Sequence, residues 1–268
     1  MNYPFVKNIE EKELFDVRFT ICTLVSKPEE YKEMLDSFLL AGFNPEICEY
    51  LCIDNSQSNK LDAYEGLNRF LRQAKGKYII LCHQDIVLSN HTMTDLESRI
   101  QEMDVLDTNW GILANAGGIN LKYVAKHMTQ SVGTSSFETK LPLKAQSVDE
   151  NFILVKNSAN LALSHNLHGF HLYGTDICLI AETLGFNSYI IDFHLTHKSG
   201  GNIDKSFDEL RDNLMVKYRR AFRSRFISTT ITRLYLSGSR LGSWFFNFKA
   251  ILFLARQYYK FFRPKPKH

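Results

Sequence analysis

Acidic side chains run out early in this sequence. After Asp212 there is none, whereas Lys217 to Lys267 supply 13 of the 32 Lys and Arg residues, leaving 19 basic against 29 acidic groups in residues 1–216. The formal net charge of +3 therefore joins an acidic body to a strongly basic tail, an asymmetry that marks contact with a polyanionic surface. Cysteine is sparse: Cys22, Cys48, Cys52, Cys82 and Cys178 are odd in number, and four of them sit inside apolar runs, as reduced and buried thiols do. Cys48 and Cys52 have no matching second pair, which argues against a zinc site. Met1–Phe15 carries Lys7, Glu10, Glu11, Lys12 and Glu13 and lacks the apolar core of a secretory signal, so a cytoplasmic protein is expected. The apolar stretch Leu241–Ala255 is interrupted by Lys249 and falls short of the roughly 20 residues that a bilayer span needs. Gly-x-Gly-x-x-Gly, Gly-Lys-Ser/Thr and Gly-x-Ser-x-Gly are all missing, which argues against dinucleotide enzymes, P-loop NTPases and the α/β-hydrolase elbow.

What is present is an alternation. Val17–Val25 reads as a buried strand ending at Ser26-Lys27-Pro28, and Ser26 and Glu29 have capping-box spacing ahead of the helical set Tyr31, Met34, Leu35, Phe38 and Leu39. Glu46–Asp54 reads as a second strand, and Leu61, Tyr64, Leu67, Leu71 and Ala74 line a helix with Gly76 as its expected cap. Lys77–Cys82 is a third strand running into His83-Gln84-Asp85. Leu96, Ile100 and Met103 mark another helix, and a strand from Gly111 follows it. The Thr/Ser/Gly-rich stretch within Lys122–Leu143 is expected to be a long loop and a lid. A short strand at Asn151–Val155, a helix at Thr175–Leu184 and a strand at Ser188–Ile191 complete the pattern. Such alternation predicts an α/β fold with a mainly parallel central sheet flanked by helices, its ligands bound beyond the carboxyl ends of the strands. Ser26, Asp54, Asn55 and Asp85 all fall at that edge.

Several pieces stand in a telling order. They are Thr23-x-Val25-Ser26, Cys52-Ile53-Asp54-Asn55-Ser56, Ala74–Asp85, Val148-Asp149-Glu150-Asn151-Phe152, His171–Leu179 and Thr196–Gly200. Over roughly Phe19 to Gly201 the chain resembles the family 2 glycosyltransferases and their relatives with the GT-A fold. That resemblance implies a hexosyltransferase-type enzyme acting on a nucleotide-diphosphate sugar, UDP-sugar foremost. It implies Mn2+ or Mg2+ held by Asp85 and His197, a catalytic base at Asp176, a nucleotide pocket of Thr23, Val25, Asp54, Asn55, His83 and Gln84, and sugar or acceptor contacts from Asp149, His171 and Tyr173. The chemistry is coherent, because a departing diphosphate gathers negative charge that a divalent cation or cationic side chains must stabilise. His83 stands where the family has the first Asp of its Asp-x-Asp motif, which removes one carboxylate from the site.

The expected organisation is a catalytic domain over residues 1–212 and a basic, aromatic helical extension over 213–268. Residues 217–267 interleave cations with aromatics in the manner of a helix lying on an anionic membrane, rather than of a nucleic-acid arm. The reading that follows is a cytoplasmic glycosyltransferase, peripheral to the inner face of the cell membrane. It would extend a saccharide or lipid-linked acceptor with inversion, in cell-surface polysaccharide or lipopolysaccharide synthesis. Its alternative is a catalytically silent protein that binds nucleotide sugars or assists assembly.

Overall fold

Val17–Val25 forms strand β1, and after the turn at Ser26–Lys27 helix α1 runs over Pro28–Leu40. Pro28 suits a first helical turn, where its missing N–H would have had no partner. The computed structural model describes residues 5–6, 14–130, 133–135, 140–200 and 205–262. The chain continues through β2 (Cys48–Asp54), α2 (Ala63–Gln73), β3 (Gly76–Cys82), β4 (Ile86–Val87), α3 (Met93–Leu106), β5 (Trp110–Ala114), β6 (Ala116–Gly118), β7 (Val124–Lys126), β8 (Met128–Gln130) and β9 (Gly133–Ser135). Then come β10 (Leu143–Ala145), β11 (Ser147–Val148), β12 (Phe152–Lys156), α4 (Tyr173–Thr183), β13 (Asn187–Ile190), β14 (Leu195–His197) and α5 (Lys205–Ala221).

The expected capping box at Ser26 and Glu29 does not form. The cap position is Lys27, with no side-chain bond, because Ser26 is engaged by Gln84 instead. The capping box of this chain is at Thr92 and Asp95, which bond reciprocally at the start of α3. Gly76 is not the cap of α2 either, since that helix ends on Ala74. A Cβ at Gly76 would lie 2.5 Å from the Thr20 main-chain nitrogen, so the residue is a glycine because β1 and β3 close on each other there.

The central sheet has seven strands in the order β10-β13-β5-β12-β3-β1-β2. β1 is parallel to β2 and β3, and β13 is parallel to β5. β12 is antiparallel to both β3 and β5, and β10 is antiparallel to β13, so the sheet is mixed. Its parallel strands set a common carboxyl edge at Val25, Asp54 and Cys82. Phe19, Phe43, Tyr78 and Trp110 pack ring to ring in the core, Phe19 edge-on to Phe43 and Tyr78 stacked on Trp110, with centroids 5.5–5.9 Å apart. Each such fully buried side chain stabilises the fold by about 1.5–3 kcal/mol.

The stretch expected to be a loop and lid is organised differently. β7 pairs with β6, β8 pairs with β9, and β8 also pairs with β14 in a four-stranded sheet ordered β4-β14-β8-β9. Ser131, Val132 and Ser136 of that stretch lie outside the described residues. β14 also pairs with β4, so this small sheet connects the end of β3 to His197.

Two compact units are present, Met1–Leu210 and Arg211–His268. In the second, the hairpin β15 (Arg225–Ser228) and β16 (Arg233–Leu236) is followed by helices α6 (Arg240–Phe246) and α7 (Lys249–Phe262). Asn247 ties the hairpin to α6: its side chain accepts from Tyr235 N and donates to Tyr235 O and Ser243 O. Phe226, Tyr235 and Phe246 cluster around this clip. Neither α6 nor α7 has a buried residue. Trp244, Phe245, Phe253, Leu254, Tyr258, Tyr259, Phe261 and Phe262 are all exposed. Among the described residues no helix is long and apolar enough to cross a membrane. Arg263, Lys265 and Lys267 lie outside the described residues.

Candidate functional site

β3 ends at Cys82, and the next three residues each take a distinct role. His83 is held by its main-chain N–H, which donates to Asn151 O at 3.0 Å. Gln84 turns back: its Oε1 accepts from Ser26 N at 2.7 Å and Lys27 N at 2.9 Å, and its Nε2 donates to Ser26 Oγ. Asp85 is buried, and β14 runs beside it because His197 pairs in register with Ile86. Lys198 N donates to Asp85 O at 3.0 Å, and Ser199 N donates to Asp85 Oδ2 at 3.2 Å.

This packing gathers three side chains. His197 Nε2 lies 3.4 Å from Asp85 Oδ1 and 3.4 Å from His83 Nδ1, and His83 Nδ1 lies 4.0 Å from Asp85 Oδ1. Burial pushes the Asp85 carboxyl up, but hydrogen bonds from His197 and Ser199 and the neighbouring imidazoles outweigh it and hold the group well below the usual carboxylate range. Burial, followed by the nearby His197, holds His83 below the usual imidazole value. A carboxylate with two imidazoles is a donor set that fits a divalent cation, and the three ligand atoms are close enough to share one. His91, His127 and Asp192 form a second such group.

Beside Asp85 a cleft of about 430 Å3 opens at the carboxyl edge of the sheet, lined by Leu24, Ser26, Lys27, Asn55, Asn59, His83, Gln84, Asp85, Phe170, Tyr173 and Ser199 among others. His83, Gln84, Asp85, Asn55 and Tyr173 were expected there. Thr23 and Val25 are not among the lining residues: both are buried, and Thr23 Oγ1 sits 3.4 Å from Cys82 Sγ. Side chains alternate along a strand, so the lining residue of β1 is Leu24. Asp54 stays outside the lining, exposed, accepting from Ser56 N and Ser56 Oγ, which hold its carboxyl below the ordinary value. Asn55 lines the cleft but spends its amide on the 55–61 loop, donating to Leu61 O and accepting from Lys60 N and Leu61 N.

Asp176 is where the geometry departs most from expectation. It is wholly buried in α4 and absent from the cleft, and its two oxygens accept from Ser164 N at 2.7 Å and Ser164 Oγ at 2.6 Å. A carboxylate so enclosed fastens the 164 region to α4. Asp149 turns into its own loop, accepting from Asn151 N and Asn151 Nδ2. His171 packs edge-on against Phe207 at 5.5 Å, and its main-chain oxygen accepts from Tyr64. Tyr173 faces the cleft: its hydroxyl is 2.9 Å from His83 Nε2 and donates to Glu150 O at 3.2 Å.

Glu150 is a residue that sequence reasoning passed over. Its Oε1 accepts from Gly174 N at the start of α4, and burial pushes its carboxyl up to about 8 against the N–H groups of Gly174, Tyr173 and Leu172. Phe170, Lys27, Asn59 and Ser199 were also missed; Lys27, Asn59 and Ser199 follow the ends of β1, β2 and β14, which was the available signal, whereas Phe170 lies in the segment before α4 and had none.

No protein-family model matches the chain. Among solved structures, S. aureus TarS aligns with a TM-score of 0.50 at 13% identity, over 76% of this chain and 40% of that one. The mannosyltransferase PcManGT of Pyrobaculum calidifontis, in complex with GDP-Man and Mn2+, aligns with a TM-score of 0.50 at 12% identity, over 78% of this chain and 67% of that one. These likenesses show the fold: a mixed α/β fold with a central sheet and flanking helices, as in glycosyltransferase structures. The ATP synthase subunits region ORF 6 protein of Fuscovulum blasticum is 32% identical over 241 residues, which cover 88% of this chain and 97% of that protein. The chain belongs to the same family as that ORF 6 protein.

Proposed function

We propose that this protein is a glycosyltransferase that moves a sugar from a nucleotide-diphosphate sugar, with UDP-sugars as the first choice, to a saccharide or lipid-linked acceptor of cell-surface polysaccharide or lipopolysaccharide synthesis. The observation that carries the reading is the His83–Asp85–His197 cluster beside a cleft at the carboxyl edge of the sheet, on a fold shared with a mannosyltransferase. Phe170 is suited to the base, and Lys27, paired with Glu30 at 2.8 Å, stands at the cleft. Asp85, His197 and His83 would hold a divalent cation. When bound, that ion neutralises charge developing on the departing diphosphate. Inverting transfer also needs a group to take the acceptor proton. With both Asp176 oxygens engaged by Ser164, Glu150 is the candidate: it lies behind the cleft residue Tyr173, whose hydroxyl donates to Glu150 O, and burial raises its carboxyl to about 8.

The test is turnover of a panel of nucleotide sugars by Asp85→Ala, which should lose activity on every donor the parent accepts. Unchanged turnover would sink the mechanism. A second reading is favoured by His83 in place of a carboxylate: a silent protein that binds nucleotide sugars without transfer. Calorimetry showing donor binding that is independent of added metal, with neither hydrolysis nor transfer, selects it.

The 211–268 unit completes the proposal. Its exposed aromatics lie among Lys249, Arg256 and Lys260, with no acidic residue after Asp212. Such a surface suits an anionic bilayer, where each cation contributes about 1 kcal/mol. We read it as the peripheral attachment of a cytoplasmic catalytic part (residues 1–212) to the inner face of the membrane, close to a lipid-linked acceptor.

A further inference from the structure

The three side chains around Asp85 do more than hold a charge. Ligand atoms about 2.1 Å from a common centre lie roughly 3.0–3.4 Å from one another. The separations of His83 Nδ1, His197 Nε2 and Asp85 Oδ1, at 3.4, 3.4 and 4.0 Å, form a triangle that closes onto one ion with a shift of a few tenths of an ångström. Two imidazoles and one carboxylate on a single face leave the opposite positions open for water or phosphate oxygens.

One of the two imidazoles, His83, has a hydrogen-bond partner on the nitrogen turned away from the cluster. Tyr173 donates its hydroxyl hydrogen to Glu150 O, so its oxygen accepts from His83 Nε2 at 2.9 Å. That places the ring proton of His83 on Nε2 and leaves the Nδ1 lone pair turned toward Asp85 and His197. Histidine ligands gain orientation and basicity from such a bond on their other nitrogen. The second histidine group lacks this preparation: His91 Nδ1 accepts from His194 N at 2.7 Å, and His127 Nε2 is 3.0 Å from Asp192 Oδ1.

We propose that the Asp85 site selects an imidazole-accepting transition-metal dication, such as Mn2+ or Co2+, over Mg2+, with His83 as a ligand and Tyr173 as the positioning residue that fixes its tautomer. Mg2+ binds to oxygen ligands and dehydrates reluctantly, so replacing a carboxylate by imidazole lowers its affinity while raising that of Co2+. The proposal rests on the glycosyltransferase reading only for what fills the open positions. Metal binding to the protein alone is a separate fact.

The experiment is calorimetric titration of the metal-stripped full chain with Mg2+, Mn2+ and Co2+, with the visible absorption of Co2+ as a second readout. The parent should bind one equivalent of Mn2+ and of Co2+ at this site at least tenfold more tightly than Mg2+. His83→Asp should invert the order, strengthening Mg2+ and weakening Co2+. Tyr173→Phe should weaken Co2+ by about tenfold or more and alter its spectrum, with thermal melts verifying that both variants fold. Equal affinities for Mg2+ and Co2+, or a Co2+ spectrum unchanged in His83→Asp, would overturn the proposal. So would loss of the Co2+ equivalent in His127→Ala with retention in Asp85→Asn, which would assign the ion to the other histidine group. If Co2+ binds through His83 but no nucleotide sugar raises the melting temperature, the metal proposal stands and the transferase reading falls.

Discussion

Asp85 and Asp176 are both buried carboxylates, yet they differ in what reaches their oxygens. Asp85 faces two imidazoles and a cleft, whereas both oxygens of Asp176 accept hydrogen bonds from Ser164. Asp176→Ala should therefore act on stability first. Leaving Ser164 N–H and Oγ without their acceptor costs about 1–3 kcal/mol, and the melting temperature should drop by several degrees. If Asp176→Asn kept the parent melting curve but lost turnover, Asp176 would regain the role of base. Glu150→Gln should instead leave the melt nearly unchanged and reduce transfer by about 100-fold or more. A base must be deprotonated to act, so parent activity should rise with pH until it levels above about 8. A profile already flat from pH 6 would exclude Glu150. At this scale the sequence was a partial guide. Strand alternation would have put Leu24 rather than Thr23 and Val25 at the cleft, because neighbouring residues face opposite ways. The resemblance paired Asp85 with His197, but the direct approach of His83 to His197 across 114 residues follows from the pairing of β4 with β14, which no local pattern shows.

Among the elements, α3 offers the clearest calibration. Thr92 and Asp95 form its capping box, so Thr92→Ala should cost about 1 kcal/mol in chemical denaturation. At the other end of α3, Asp107 accepts from Asn187 Nδ2 at 2.7 Å and Tyr189 OH at 2.9 Å. Burial pushes its carboxyl up, but those bonds and one from Asn109 outweigh it and leave the group below its ordinary value. A depressed carboxylate contributes stability that is present above its unfolded pKa and lost as pH falls through the folded one. The parent should therefore lose stability below about pH 4 more steeply than Asp107→Asn, as measured by denaturant midpoints across that range. The long, periodic elements were legible: β1, α1, α2 and α3 all announce themselves by apolar spacing. β7, β8 and β9 did not, because each has three residues, too few for alternation to show. The antiparallel sense of β12 was hidden as well, since its apolar run Phe152–Val155 is the same whichever way it inserts.

For the whole molecule, charge and exposure separate the two units more sharply than length does. Among the described residues the last buried apolar one is Leu210, and beyond it large aromatic side chains stand exposed beside cations. The full chain should co-sediment with phosphatidylglycerol vesicles and not with phosphatidylcholine ones. Neutralising Arg219, Arg220 and Arg223 to Gln should reduce that binding by about 100-fold, at roughly 1 kcal/mol per cation. Equal binding to both vesicle types would remove the membrane from the proposal. Composition alone made this asymmetry visible, because absent acids are counted without any knowledge of the fold.

The position of β12 has a consequence for how the protein comes to exist. β3 and β5 are complete once Ala114 has been synthesised, yet the strand that joins them begins at Phe152, and the other neighbour of β5 begins at Asn187. A chain still emerging from the ribosome thus carries β5, buried in every residue when finished, with both edges unpaired. Unpaired apolar edges are templates for association. Nascent chains stalled before residue 150 should therefore need a holdase to stay dispersed, and those stalled well past residue 190 should not.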